Sequence, residues 1–273
     1  MTSRASAVAL ARSGHPGPAG AVTAFTALLG IHAQLPGATL ALLVIAVLSG
    51  QLSIGWSNDR LDAARDRAVG RTDKPLAQGA LPYRTVEIAI AVVLVITVAA
   101  SLALGWRAGL THLGAVAWAW LYNLWLKRTV FSWLPYGLAF AALPAIVTLA
   151  GAGQRWAPWW LSAAGGLLGV AANLTNALPD LLDDRATGIV GLPQRLGAPR
   201  SLTLASLLLL ASTAVLVFGP PGRPSGWAVA VALLVTALTV AGWVRFWRQP
   251  RGRSPFYAQL VIVALDLVLV LRH

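Results

Sequence analysis

Nine apolar runs, each about as long as a lipid bilayer is thick, set the terms for any fold this chain can take. They fall at about 18–34, 37–57, 84–105, 107–126, 130–152, 157–179, 200–219, 225–245 and 255–271. A helix rises 1.5 Å per residue, so about 20 residues cross a hydrocarbon core of about 30 Å. In lipid a helix also satisfies its own backbone polar groups, which no open strand can do. The first run is the weakest, being short and interrupted by glycines and His32. The pattern predicts an all-α integral membrane protein with about nine transmembrane helices. Residues 1–17 read as a cytosolic N-terminal tail, without the apolar core and cleavage site of a signal peptide, and 18–273 as one transmembrane domain. Composition agrees: of 273 residues 57% are hydrophobic and 11% charged, against about 25% charged in soluble domains. The chain has no cysteine, which excludes disulfides, thiolate metal sites and a cysteine nucleophile.

The net charge of +12 raises the question of nucleic acid, and the placement of the charge answers it. The basic residues lie in short loops between apolar runs and not along one polar face, so nucleic-acid binding is not expected. With nine spans, Arg107, Arg155, Arg223 and Arg272 fall on one side and every other Lys and Arg of the 21 on the opposite side together with the N-terminus. The positive-inside rule makes the basic side cytoplasmic and the protein a multi-pass cell-membrane protein.

Within this frame the chain writes one pattern twice. Residues 58–79 read NDRLDAARDRAVGRTDKPLAQG and residues 176–197 read NALPDLLDDRATGIVGLPQRLG. Without a gap they share Asn58/Asn176, Asp62/Asp180, Asp66/Asp184, Arg67/Arg185, Ala68/Ala186, Gly70/Gly188, Pro75/Pro193 and Gly79/Gly197. Unrelated segments of this length match at roughly one or two places, so duplication is the better explanation. Four predicted spans separate the copies, an even number, which makes them parallel pseudo-repeats opening on the cytoplasmic side. Asp59, Asp62, Asp66, Asp73, Asp180, Asp183 and Asp184 lie in these segments, leaving only Glu87 and Asp266 among the nine acids.

On a helix, positions i, i+4 and i+8 drift by only about 40° per step. Asn58, Asp62 and Asp66, and likewise Asn176, Asp180 and Asp184, are therefore expected to line narrow oxygen-rich stripes. Such stripes suit Mg²⁺, which takes oxygen ligands and is commonly shared between a few carboxylates and a phosphate. Two facing ladders would hold two metal ions and a diphosphate. Arg67, Arg71, Lys74, Lys127 and Arg185 together would neutralise that diphosphate, or each serves as a topological anchor. Tyr122 and Asn123, in the segment LYNLWLKRT, are either interfacial residues or help orient it. Pro179 should interrupt its helix. Trp156, Trp159 and Trp160 read as an interfacial belt on the far side. Asp266, in the middle of the last run, is either a protonated acid hydrogen-bonded to a neighbouring helix or part of an acceptor path. The histidines have no zinc-ligand spacing.

The first segment resembles the NDxxDxxxD motif of the UbiA superfamily of intramembrane prenyltransferases, including the downstream R-T and P-L-x-x-G. The second resembles that superfamily's second Asp-rich motif, and YNLWLKRT resembles its Tyr-x-x-x-x-Lys-Arg-x-Thr stretch. Lys74 stands where arginine is usual before the proline, and Ile189 to Gly191 replace the pattern of several branches. The resemblance implies a helical bundle around a central cavity. It implies Asp62, Asp66, Asp180 and Asp184 as catalytic residues, holding Mg²⁺ together with Asn58 and Asn176. It places diphosphate contacts at Arg67, Arg71, Lys74 and Lys127, to which the reading of the residues themselves adds Arg185 and Tyr122. The implied reaction is Mg²⁺-dependent transfer of a prenyl group from an allylic diphosphate to a lipophilic, aromatic acceptor in the membrane, in quinone or related isoprenoid lipid biosynthesis. The alternatives are a cation-coupled transporter, whose sites normally lie near the bilayer midplane in inverted repeats, and a non-catalytic membrane scaffold.

Overall fold

A computed structural model describes residues 3–248 and 254–272. Every described segment of regular structure is helical. The helices are α1 (Ser3–Ser13), α2 (Pro16–His32), α3 (Gly37–Ala68), α4 (Tyr83–Ala103), α5 (Trp106–Leu124), α6 (Leu134–Ala150), α7 (Trp159–Asn176), α8 (Leu181–Ala186), α9 (Leu192–Leu196), α10 (Ala198–Phe218), α11 (Gly226–Arg248) and α12 (Ser254–Leu271), with short 3₁₀ turns at Leu126–Arg128 and Leu178–Asp180. Each of the nine apolar runs coincides with a long helix. Five are long and apolar enough to cross a membrane: α3, α4, α7 with the turn that follows it, α10 and α11. Their outward faces carry side chains such as Val95, Phe218 and Leu233, exposed by 70%, 67% and 66%, which suit contact with acyl chains. Arg251 and Arg253, counted with the basic side, lie outside the described residues.

The chain divides into two compact units, Met1–Trp125 with Ala145–Trp156, and Leu126–Pro144 with Ala157–His273. In the first, α3 packs on α2, α4 and α5, and α1 rests on α2 and α3. Lipid offers no hydrophobic drive for helices to associate, so close backbone approach and interhelical hydrogen bonds do this work. Both are present. A Cβ on Gly55 would lie 2.6 Å from the carbonyl oxygen of Gly14, so only glycine lets the start of the chain settle on α3. Along α3, Ser49 accepts from Thr97 Oγ1 at 2.9 Å, Ser53 from Trp120 Nε1 at 3.2 Å, and Ser57 from Asn123 Nδ2 at 2.9 Å. The stretch read as a tail, Ser3–Ser13, is helical, and the Leu10 carbonyl accepts from Trp56 Nε1 at 2.9 Å.

In the second unit α7 packs on α10 and α12, and α10 also on α11 and α12. Leu168, Leu174, Ala205, Leu209, Val235 and Ile262 form its core. Asp266, 1% exposed, accepts from Thr213 Oγ1 at 2.8 Å and from Ser212 Oγ at 3.4 Å. Asp266 is thus hydrogen-bonded to the neighbouring helix α10.

Candidate metal and diphosphate site

The first acidic segment rides on a helix longer than a bilayer's hydrocarbon core is thick. α3 runs for 32 residues, about 48 Å at 1.5 Å per residue, and its last turns carry Asn58, Asp62 and Asp66 in helical register as expected. Asp62 and Asp66 are 4% and 5% exposed. Arg65 Nη2 lies 2.9 Å from Asp62 Oδ2 and 3.6 Å from Asp66 Oδ1, so oxygens of both carboxylates converge on one cationic nitrogen. Asn58 is half-buried one turn earlier.

Asp59, 2% exposed, points into a second cluster. Lys74 Nζ donates to Asp59 Oδ1 at 2.5 Å, and His15 Nε2 lies 2.8 Å from the same oxygen and 3.1 Å from the ammonium. Lys74, expected at a diphosphate, is thus held on a carboxylate of its own segment. Arg71 grips Asp73 in a two-pronged contact at 2.8 and 2.9 Å, and these hydrogen bonds hold the Asp73 carboxyl down at about 2.

The second segment does not form the straight stripe expected of it. α7 ends at Asn176, Leu178–Asp180 is a 3₁₀ turn, and α8 begins only at Leu181. The physical cause is the one anticipated: Pro179 lacks an N–H, and its ring cannot follow an α-helical turn. Asn176 is exposed, while Asp180 and Asp184 are half-buried. Gln194 Nε2 donates to Asp184 Oδ2 at 2.8 Å.

Both segments close alike. Gly70 and Gly188 have φ of 71° and 80°, the left-handed conformation that ends a helix and that side chains resist. The N–H of Arg71 then reaches the Asp66 carbonyl at 2.9 Å, and that of Ile189 the Asp184 carbonyl at 2.8 Å. Arg67 Nε donates to the Ala77 carbonyl at 3.1 Å, with Nη2 towards Leu76 O at 3.4 Å. Arg185 donates to the Gln194 carbonyl through Nε at 2.8 Å and through Nη2. Both arginines, read as diphosphate ligands, tie the following loop. Lys127 is 5% exposed in the 3₁₀ turn after α5, and Tyr122 is half-buried in the last turns of α5. Asn123 bonds the Ile54 carbonyl and Ser57 at 2.9 Å each, fixing α5 to α3 one turn before Asn58.

Sequence reading missed three residues here: His15, Arg65 and Asn173. Asn173 is 3% exposed and its Oδ1 has no hydrogen-bond partner. It lies seven residues before Asp180, a spacing that was visible in the chain.

Among the described residues no group of three or more His, Asp and Glu side chains is gathered as a metal cluster. The acids come instead as pairs four residues apart, Asp62 with Asp66 and Asp180 with Asp184. The convergence of Asp62 and Asp66 on a cationic nitrogen, and an all-oxygen donor set, fit a hard divalent ion such as Mg²⁺.

A sequence model of the UbiA prenyltransferase family matches residues 19–263. Similar solved structures include an apo UbiA homolog from Aeropyrum pernix K1, with a TM-score of 0.73 at 20% identity over 91% of this chain and 95% of that one. A UbiA homolog from Archaeoglobus fulgidus bound to GPP and Mg²⁺ gives 0.71 at 16% identity, over 96% and 97%. A digeranylgeranylglyceryl phosphate synthase gives 0.70 at 15%, over 97% of each chain. At such identities these likenesses establish the fold. No curated protein sequence matches the chain. The family match leaves the transporter and scaffold readings without support.

Proposed function

Because the chain belongs to the UbiA prenyltransferase family, we propose that it transfers a prenyl group from an allylic diphosphate to a lipophilic, aromatic acceptor within the membrane, in the making of a quinone or related isoprenoid lipid. The observation that carries this reading is the pair Asp62 and Asp66, buried on one helix with oxygens converging on a single cation position. The A. fulgidus homolog's complex with GPP and Mg²⁺ supports the choice of substrate and metal.

Asp62, Asp66, Asp180 and Asp184, with Asn58 and Asn176, are the residues that would hold Mg²⁺. Bound there, the ion supplies positive charge against the negative charge that grows on a departing diphosphate. Lys127 and Arg71 add fixed cations for the same leaving group, and Tyr122 a hydroxyl. Such contacts strengthen as the C–O bond breaks, so they lower the barrier and do not merely tighten binding. Arg67 and Arg185 act by fixing the loops behind the acids, and Lys74 acts through Asp59. The apolar spans exclude water that would otherwise trap an allylic cation. Nine helices, α2 to α7 and α10 to α12, cross the bilayer in two parallel pseudo-repeats of one domain covering 18–273. The N-terminus and both acidic segments face the cytoplasm from a cell membrane.

Incubating the purified chain with Mg²⁺, labelled prenyl diphosphates and a native lipid extract tests this. The expected result is a prenylated lipid, identified by mass spectrometry, that disappears when the metal is chelated. A label recovered only as unchanged diphosphate would reject the reading.

A further inference from the structure

We propose that Arg65 is the internal counter-cation of the first acidic pair, so that a divalent ion loads by displacing it. This rests on the reading of Asp62 and Asp66 as metal ligands. Two carboxylates one helical turn apart, each about 5% exposed or less, repel each other in a poorly screened setting. Arg65 relieves that repulsion from a position where sequence spacing alone would not place it. It stands three residues after Asp62, a spacing that lets side chains meet. It immediately precedes Asp66, however, and neighbours in sequence point about 100° apart on a helix. Only a long side chain curled back along α3 brings one nitrogen to 2.9 Å from Asp62 and 3.6 Å from Asp66.

The cost of that pose is written on its other arm. Arg65 Nη1 is buried and has no acceptor, although guanidinium nitrogens are strong donors that are seldom buried unmet. The pose is therefore held by its charge and not by a full set of hydrogen bonds. Arg65 brings one positive charge to the two carboxylates, whereas a divalent ion brings two. The side chain is 22% exposed, so it has a way out, and once released it carries five donors suited to phosphate oxygens. The consequence is weak metal binding by the resting protein, with metal and diphosphate arriving together as Arg65 changes partners.

The test is Mn²⁺ affinity, by electron paramagnetic resonance or calorimetry, of the full chain in detergent at pH 8 without substrate. Arg65→Gln should bind Mn²⁺ roughly tenfold or more tightly than wild type, because a unit charge within 4 Å has gone. Adding saturating inorganic diphosphate should shrink that advantage. Arg65→Lys keeps the charge on a more mobile stem and should lie between the two. If Arg65→Gln does not survive purification, this variant's few-fold gain is the deciding readout. Unchanged or weaker Mn²⁺ binding in a folded, monodisperse Arg65 variant overturns the proposal. Asp62→Asn separates the layers: if it leaves Mn²⁺ affinity unchanged, the metal reading of this segment itself fails. If it weakens binding while the Arg65 variants match wild type, only the role of Arg65 fails.

Discussion

The two acidic segments share a design for their loops and differ in how their acids are treated. In both, a left-handed glycine ends the helix, and an arginine just before it ties the loop that follows. Pro75 and Pro193 are both buried. The contrast lies at three aligned positions. Where the first segment has Asp59, Arg65 and Lys74, the second has Ala177, Asp183 and Leu192. The first therefore arrives with its own cations, Lys74 on Asp59 and Arg65 on Asp62, and buries its acids on an unbroken helix. The second breaks at Pro179 and leaves Asp180 and Asp184 half-buried. Residues common to both copies include the ones that close the backbone, whereas the private residues set how much of the negative charge is already compensated.

The comparison can be broken most forcefully at Lys74. Lys74→Ala leaves Asp59 buried with only His15 at its oxygen, which should cost about 3 kcal/mol. Thermal unfolding in detergent reads this directly, and a loss under 1 kcal/mol would mean that the first segment does not depend on its private cation. Next come the shared glycines. A Cβ meets nothing within 4 Å at Gly70 or Gly188, so alanine should cost about 1–2 kcal/mol of backbone strain at each. Unequal losses would argue that the loops are not built alike. Arg67→Ala and Arg185→Ala should cost about 1 kcal/mol each, one charged hydrogen-bonded tie per loop. The smallest effect belongs to Asp73→Asn, a few tenths of a kcal/mol at neutral pH, because the ion pair with Arg71 is largely exposed. The folded carboxyl titrates at about 2, below the usual ~3.9 of an unfolded chain. The pair's contribution is thus complete above the unfolded value and lost as pH falls through the folded one, and the difference between wild type and variant should vanish by about pH 2.

Much of this was legible in the chain because lipid permits so few answers. A run of apolar residues about 20 long has to be a helix, and each of the nine runs coincides with one. The break at Pro179 followed from the missing N–H. The i, i+4, i+8 stripe held in α3, where nothing interrupts the helix, and failed after Asn176, where the proline counts for more than the spacing. Side-chain partners across long separations were not legible. His15 meets Asp59 because Gly14 and Gly55 let backbones touch, and no local pattern announces that contact. Sequence gives the lysines and arginines charge without direction, so it leaves them equally as phosphate ligands or topological anchors. The structure gives Lys74, Arg71 and Arg185 intramolecular partners first. Helix spacing announces that Arg65 can meet Asp62, three residues before it, but not that the same nitrogen also reaches Asp66.

The most direct test of the account is the rate of Mg²⁺-dependent prenyl transfer in Asp62→Ala and Asp180→Ala, each checked for intact folding in detergent. Both acids are assigned to metal, so both variants should lose at least about a thousandfold in rate, roughly 4 kcal/mol of transition-state stabilisation, despite the different settings of the two segments. Full activity in both folded variants would contradict it.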